Sequence, residues 1–286
     1  MTTELQSLIA KSVTLASLPE TVTRTQTLIN SSDSSATEIG DSLSHDPALT
    51  ARLLRIVNSP YYGFATQIET VSRAITLIGT LDLLDLVLAT SVVRLFKDIP
   101  PELVTMDKFW EHSLYTAVIA RILAQHGRAP NTERYFIAGL IHDIGELVLF
   151  SQRPRQSAEV LRLVQEKPGE LLAAETQVFG FTHGQVGAEL ARAWNLPPSL
   201  VTAIRHHHAP ADADSFQLET AIVHCADAIG IAVKTALPER VAAAGLSAEA
   251  WDLLGIPLDD IETLIDRADT EFADIRDAIL PNANAA

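Results

Sequence analysis

The chain has 286 residues, 47% of them apolar and 20% charged, and it lacks the Gln/Asn tracts and Pro-rich blocks that are typical of disordered chains. Its formal net charge of −15 repels nucleic-acid phosphates and anionic lipid surfaces, which disfavours direct binding to nucleic acid or to a membrane. The single cysteine excludes an internal disulfide, and no signal peptide or membrane-spanning stretch is visible, so we expect a folded, cytoplasmic protein of two packed subdomains.

The first strongly periodic segment follows residue 45. Asp46 can cap a helix and Pro47 can occupy its first position, after which apolar residues recur at three- and four-residue steps. A second helix is predicted from Thr70 to Gly79, and "LDLLDLVLATSVVRLF" predicts a third. Two prolines at residues 100 and 101 stop this pattern. We therefore predict a subdomain boundary near residue 100.

The remainder of the chain also has a helical period, and no alternating strand pattern of useful length occurs. Helices are predicted over residues 109–125, 133–150, 155–166, 169–179, 183–194, 198–207 and 216–236, with two short helices in the last forty residues. This pattern predicts an all-α fold with three parts, which we place at residues 1–104, 105–236 and 237–286.

Six of the nine histidines fall between residues 135 and 228, and two doublets stand out among them: His142 with Asp143, and His207 with His208. Imidazole and carboxylate groups together suit a first-row transition metal. Successive residues of a helix project about 100° apart, so each doublet converges only on a site beside its helix. Alternatively, a His-Asp pair is an ordinary hydrogen-bonded feature, and residues 206–208 are an exposed helix end favoured by the helix dipole.

The motifs "WEHS", "GLIHDIGELVL", "FTHGQVGAELARAWNLP", "AIRHHHAP" and "IVHCADAI" occur in an order that resembles the HD superfamily of metal-dependent phosphohydrolases, and most closely its HDOD branch. Upstream segments such as "DPALTARLLRIVNSPYYG" resemble the N-terminal helical part of HDOD proteins. The resemblance covers residues 18–230. It implies an N-terminal helical subdomain packed on an HD-like helical subdomain, and a bacterial signalling role with a protein partner. A nucleotide remains a candidate ligand.

The resemblance to the related HD-GYP phosphodiesterases also implies a set of metal ligands in this chain. The residues that match that family's ligands are His112, His142, Asp143, His183, His207, His208 and Asp227. They imply one or two divalent ions of iron, manganese, nickel or zinc, with Asp143 as the bridging ligand by analogy. His206 and His224 are left outside this ligand set.

The chain departs from the HD-GYP pattern at three places. Those proteins commonly read HDIGK, whose lysine helps to hold the substrate phosphate, whereas Glu146 stands at that position here. A carboxylate there would repel a phosphodiester. The GYP motif is absent after His208, and Lys108 stands where a glutamate would bind a third metal. An opposite interpretation of Glu146 is that it is a solvated helix residue pointing away from the site.

Two classes of function remain open. The first is a signalling module without catalysis that retains the metal site, and the second is a metal-dependent phosphohydrolase acting on a nucleotide or cyclic dinucleotide. We favour the first because of Glu146 and the missing GYP motif, and we assign no catalytic residue and no separate cofactor site. The aromatic loop "NSPYYGF" is interpreted as the cover of a core edge rather than as a binding loop.

Overall fold

The computed structural model describes residues 3–31, 34–96, 99–167, 169–235 and 245–280. Within these ranges the chain forms sixteen α-helices and two short 3-10 turns, and it contains no strand. The predicted all-α fold class is therefore confirmed.

The N-terminal part consists of helices that precede the proline pair. They are α1 (Thr3–Leu15), α2 (Glu20–Ile29), α3 (Ala36–Ser44), α4 (Pro47–Val57), α5 (Val71–Ile78) and α6 (Thr80–Val92). The helices that follow the proline pair are longer on average and carry the histidine motifs. They are α7 (Met106–His126), α8 (Thr132–Ile141), α9 (Ile144–Gln152), α10 (Pro154–Glu166), α11 (Leu171–Phe179), α12 (His183–Ala193), α13 (Pro198–His206), α14 (Gln217–Thr235), α15 (Ala248–Leu254) and α16 (Ile261–Ile279).

Helices α4 and α5 begin where the sequence predicts. The Asp46 carboxylate accepts a hydrogen bond from the backbone N–H of Leu49 at 2.9 Å, which satisfies one of the free donors at the start of α4. The hydroxyl of Thr70 accepts from the N–H of Arg73 at 3.2 Å and caps α5 in the same way. Local capping chemistry therefore determines both boundaries.

Two predicted helix boundaries and one predicted helix length are wrong. The helix predicted over residues 133–150 is two helices, because α8 ends at Ile141 and α9 starts at Ile144, with His142 and Asp143 between them. Helix α13 ends at His206, so His207 lies in the turn that follows it. One of the two helices predicted to be short near the C-terminus, α16, has 19 residues.

One hydrophobic core runs through helices from all three predicted parts of the chain. The loop "NSPYYGF" contributes to it, since Tyr61 is buried and its ring centroid lies 6.0 Å from that of Phe136 on α8. On another side, the indole N–H of Trp194 donates to the carbonyl of Ala16 at 2.9 Å. Tyr61 thus covers a core edge, as predicted. The boundary proposed at residue 104 stays a prediction, and the one proposed at residue 236 lies outside the described residues.

No single described helix is long and apolar enough to cross a membrane. Helices α5 and α6 pass that test of length and composition only as a pair, and the pair is bent by 120°.

Candidate metal centre

The seven predicted ligands come from five places in the fold. His112 lies on α7, Asp227 lies on α14, and His183 is the first residue of α12. The other four occupy two turns, one between α8 and α9 and one directly after α13. The structure brings all seven side chains into one largely buried cluster. Each doublet begins at a helix end, because His142 directly follows α8 and His207 directly follows α13.

Gly145 explains why α9 can approach α12 so closely. A Cβ atom at this position would lie 2.0 Å from the carbonyl oxygen of His183 and 2.7 Å from the amide nitrogen of Gly187. Both are backbone atoms that cannot swing away as a side chain can. The absence of a side chain at Gly145 therefore lets the turn of His142 and Asp143 lie against the start of α12.

The first group of side chains in the cluster is His112, His142 and Asp227. The Oδ1 atom of Asp227 lies 3.0 Å from Nε2 of His112 and 3.4 Å from Nε2 of His142. These three side chains come from α7, the turn between α8 and α9, and α14, so no single helix determines the geometry of the group. They offer two imidazoles and one carboxylate to an ion.

The second group is Asp143, His183, His207 and His208. The Oδ1 atom of Asp143 lies 3.4 Å from Nε2 of His183 and 3.3 Å from Nε2 of His207. Its other oxygen, Oδ2, lies 3.0 Å from Nε2 of His142 in the first group. Asp143 therefore turns one oxygen to each group. This is the geometry that a bridging carboxylate needs, and the bridging role itself stays a prediction.

The backbone fixes the orientation of two of the rings. His142 Nδ1 lies 2.7 Å from the carbonyl of Gly139, and His207 Nδ1 lies 2.7 Å from the carbonyl of Ile204. Because a carbonyl only accepts, Nδ1 carries the hydrogen in both rings. The Nε2 atom of the neutral ring is then a lone-pair acceptor directed at the cluster.

Glu175 orients the third ring, that of His183. Its carboxylate lies 2.9 Å from Nδ1 of His183 and also accepts from the backbone N–H of that residue at 2.9 Å. A carboxylate behind a histidine ring is a common support of metal-binding histidines. The sequence analysis missed Glu175. The only available signal was a charged residue within the apolar helix sequence "LLAAETQVF".

The lone pairs of the cluster face one another, and this arrangement suits a metal ion between them. With Nδ1 protonated, Nε2 of His183 and Nε2 of His207 meet at 3.3 Å, and both also face the Asp143 carboxylate. Acceptors packed at such distances repel one another unless a cation lies between them. A proton or a metal ion must supply the positive charge, and the mixed imidazole and carboxylate set suits a first-row divalent metal.

The pKa values of the cluster reflect the same crowding. Burial alone would lower the pKa of His142, but Asp143 and Asp227 outweigh it and raise that pKa well above its ordinary value. Burial would also lower the pKa of His183, but Glu175 and Asp143 outweigh burial and raise that pKa well above its ordinary value. Burial would raise the pKa of Asp143, and His142 instead holds it well below its usual range. Without a metal, the cluster therefore retains protons on two of its rings.

Glu146 lies beside Glu175 and His183 and lines an apolar pocket together with Phe150, Val160 and other residues of α9, α10 and α11. The interpretation of Glu146 as a solvated residue is therefore wrong. Burial, reinforced by the charge of Asp143, raises the pKa of Glu146 to about 8. Without a metal ion, the group is therefore mostly protonated at pH 7, and the repulsion of phosphate predicted from its charge is reduced in that state.

The two histidines left outside the ligand set also lie outside its candidate groups in the structure. His206 ends α13 and is half-buried. His224 is buried, and its ring contacts the backbone of His207 and of Ser247 rather than the cluster.

An all-helical scaffold that gathers histidines and two aspartates from separate helices and turns defines a helical protein of the HD type. Comparison with known families agrees, because the model of the HDOD domain matches residues 15–210. The chain belongs to the HDOD domain family. An uncharacterized protein of Treponema pallidum (strain Nichols) is 28% identical over 209 residues, which are 72% of this chain and 40% of that protein. The chain thus spans two fifths of the length of that relative.

Solved structures share the fold over nearly the whole chain. A protein of Shewanella amazonensis, provisionally named a phosphohydrolase, has a TM-score of 0.77 and 24% identity, and the match covers 97% of this chain and 98% of that one. An HDOD domain protein of Geobacter sulfurreducens has a TM-score of 0.74 and 26% identity, with 97% of both chains covered. A protein of Marinobacter aquaeolei, provisionally named a signal transduction protein, has a TM-score of 0.72 and 24% identity over 94% of this chain and 64% of that one.

Proposed function

We propose that the chain is a regulatory HDOD module whose histidine and aspartate cluster binds two divalent transition-metal ions. The observation that carries the proposal is the opposition of acceptor atoms, above all the 3.3 Å between the Nε2 atoms of His183 and His207. Two ions fit better than one because the ligand atoms form two groups and Asp143 faces both. The ions would replace the protons that supply positive charge in the metal-free cluster.

Among the side chains that the structure describes, no lysine or arginine is a main electrostatic influence on the cluster, which favours regulation over catalysis. The largest influences on the pKa values of Asp143, Asp227 and His208 come from burial and from other members of the cluster, not from a lysine or arginine. Enzymes that transfer phosphoryl groups usually surround the phosphate with fixed donors as well as metal ions. We infer that the module reports metal or ligand occupancy to a signalling protein partner.

A second candidate is hydrolysis of a nucleotide or cyclic dinucleotide, and one observation favours it. The side chain of His208 is 27% exposed and that of Asp143 is 14% exposed, whereas those of His142 and His183 are fully buried. The cluster therefore reaches the surface on one side, where a ligand phosphate could meet the ions. Turnover of a panel of nucleotides and cyclic dinucleotides, with iron, manganese or nickel loaded, discriminates between the two candidates. Turnover by the wild type would refute the regulatory proposal.

Metal stoichiometry tests the centre itself. We expect about two ions per chain in the wild type, one in His112→Ala, and a severe loss of both in Asp143→Asn, because the Asp143 carboxylate lies within 3.4 Å of rings in both groups. His206→Ala is the matched control, since it removes a neighbouring imidazole from the same triplet without touching either group. Elemental analysis and titration of chelator-free protein provide the measurement.

Proton release gives an independent readout of the same event. Because the pKa values of His142 and His183 are raised, both rings hold protons that an ion must displace. Calorimetric titration in buffers of different ionisation enthalpy should therefore show protons released on binding. Folded protein that retains little metal after loading, or binding without proton release, would contradict the proposed centre.

A further inference from the structure

His224 lies on α14 one helical turn before Asp227, and its side chain is buried. Residues three apart on a helix lie on the same face. One face of α14 therefore supplies a carboxylate to the first metal group and, through His224, a contact to the turn that carries ligands of the second group.

The two partners of the His224 ring are both backbone atoms. Nδ1 lies 2.6 Å from the carbonyl oxygen of His207, and the N–H of Ser247 donates to Nε2 at 2.9 Å. Since a carbonyl only accepts and an amide N–H only donates, the ring carries its hydrogen on Nδ1. The two contacts thus hold the ring in one tautomer and one orientation.

The turn after α13 needs such a partner. The last carbonyls of a helix have no donor within that helix, and His207 stands directly beyond the end of α13. The ring of His224 is the donor that the described part of the chain provides to the His207 carbonyl. Because His207 and His208 adjoin this peptide group, its position determines where both rings point.

We propose that His224 is a positioning residue for the metal centre: its bond to the His207 carbonyl holds the turn that presents His207 and His208. The inference rests on the proposed function and adds to it a structural link to the C-terminal segment. Ser247 precedes α15 and lies beyond residues 15–210 that match the family model. Residues 245–280 are thereby part of the support of the metal centre.

The C-terminal segment also contacts the other side of the centre. Helix α16 packs on α7, where the hydroxyl of Tyr115 donates to Asp269 at 2.7 Å, one turn from His112. The segment therefore supports α7 through α16, and it supports the turn after α13 through Ser247 and His224. Neither contact involves a side chain that we assign as a ligand.

Two amide substitutions separate the two bonds of His224. The side-chain nitrogen of asparagine can replace Nδ1, so His224→Asn retains a donor to His207 and loses the acceptor for Ser247. The longer glutamine places its amide near Nε2, so His224→Gln retains the acceptor for Ser247 and loses the donor to His207. His224→Ala removes both bonds, and His206→Asn is the control.

We expect His224→Gln and His224→Ala to weaken metal binding roughly ten- to a hundredfold, the usual loss when a support of a ligand is removed. His224→Asn should bind within a few fold of the wild type. In metal-free protein, amide hydrogen exchange should accelerate across residues 204–212 in the glutamine variant, and across residues 247–254 in the asparagine variant. The alanine variant should show both changes.

The outcomes separate this inference from the proposed function. A wild type that binds no metal refutes the proposed function, while exchange in the metal-free variants still decides the role of His224. If the wild type binds metal and His224→Gln binds it equally well with unchanged exchange at residues 204–212, His224 does not position the turn. An asparagine variant that loses as much affinity as the glutamine variant, with its fold intact by denaturation, refutes it as well.

Discussion

Arg121 on α7 is expected to be among the most important charged residues for stability, because it joins three parts of the chain. Its Nε atom lies 2.7 Å from the carboxylate of Glu133, and its Nη1 atom lies 3.5 Å from that of Glu271 on α16. Its guanidinium group also lies 4.2 Å from the ring centroid of Tyr61 in the N-terminal part. The side chain is only 12% exposed.

The expected loss of stability in Arg121→Ala follows from the Glu133 carboxylate, which would remain without its partner. Glu133 is buried, and removal of one partner of a buried ion pair typically destabilises a protein by about 3 to 5 kcal/mol. Loss of the contact with Tyr61 adds roughly 0.5 to 2 kcal/mol. Since domains unfold with about 5 to 15 kcal/mol in total, the variant should lose a large part of its stability.

The loss should also depend on pH. Burial raises the pKa of Glu133, and Arg121 opposes that shift. Without Arg121 the folded-state pKa of Glu133 rises further. A raised carboxyl pKa contributes stability that is lost as pH rises through that pKa, because the folded state must then hold an unpaired charge. The difference in the free energy of unfolding between wild type and variant should therefore be larger at pH 8 than at pH 5.

Urea denaturation at the two pH values provides the measurement. Arg267→Ala is the matched control, because Arg267 binds the same Glu271 at 2.7 Å but is 45% exposed, and exposed pairs contribute about 0 to 1 kcal/mol. The double variant Arg121→Met with Glu133→Gln should recover much of the loss by removing both charges. An Arg121→Ala variant as stable as the control, or a loss independent of pH, would refute this reasoning.

Three further substitutions test the neighbourhood of the metal centre. Gly145→Ala should destabilise the protein by at least 1 to 3 kcal/mol in thermal or urea unfolding, because its methyl group meets backbone, whereas Gly127→Ala meets nothing nearer than 3.4 Å and should be tolerated. Glu175→Gln should weaken metal binding roughly tenfold or more in titrations, because His183 loses its charged partner, and unchanged affinity would contradict that role. The free energy of unfolding of Glu146→Gln should increase relative to that of the metal-free wild type as pH rises from 5 to 9. The reason is that the wild-type carboxyl, with a pKa of about 8, loses its stabilising contribution over that range. Parallel pH profiles of the two proteins would contradict the burial of Glu146.

The elements that could be predicted from the sequence are those that local chemistry determines. Helix α4 follows from the cap at Asp46, the proline after it and the spacing of its apolar residues. The break between α8 and α9 could not be found in this way. Apolar residues continue through "GLIHDIGELVL" without a proline, and the chain turns where α9 lies against the start of α12, an approach that Gly145 permits. A tertiary contact, not a local signal, determines this boundary.

The same distinction applies to the candidate site. The ordered motifs identify which side chains belong together, since a family resemblance preserves residue types and their order. Glu175 and His224 could not be identified, because each acts through a partner that is remote from any motif spacing: Glu175 supports a ring eight residues later, and His224 binds a backbone carbonyl seventeen residues earlier. Residues that bind a ligand directly leave a stronger pattern in a sequence than residues that hold the ligand-binding residues.

Glu146 shows why a charge read from a sequence does not determine the field at a site. The spacing of three residues from Asp143 correctly predicts that Glu146 lies near the cluster, but burial raises its pKa to about 8 and removes most of its charge at neutral pH in the metal-free protein. The permanent charges of the ligand set are then the two aspartates, which together carry −2. The two divalent ions that we propose would carry +4 and would give this ligand set a net charge of about +2, whereas the metal-free cluster depends on retained protons. We therefore expect any affinity of this site for an anionic ligand to come from bound metal, so that ligand binding would require metal occupancy.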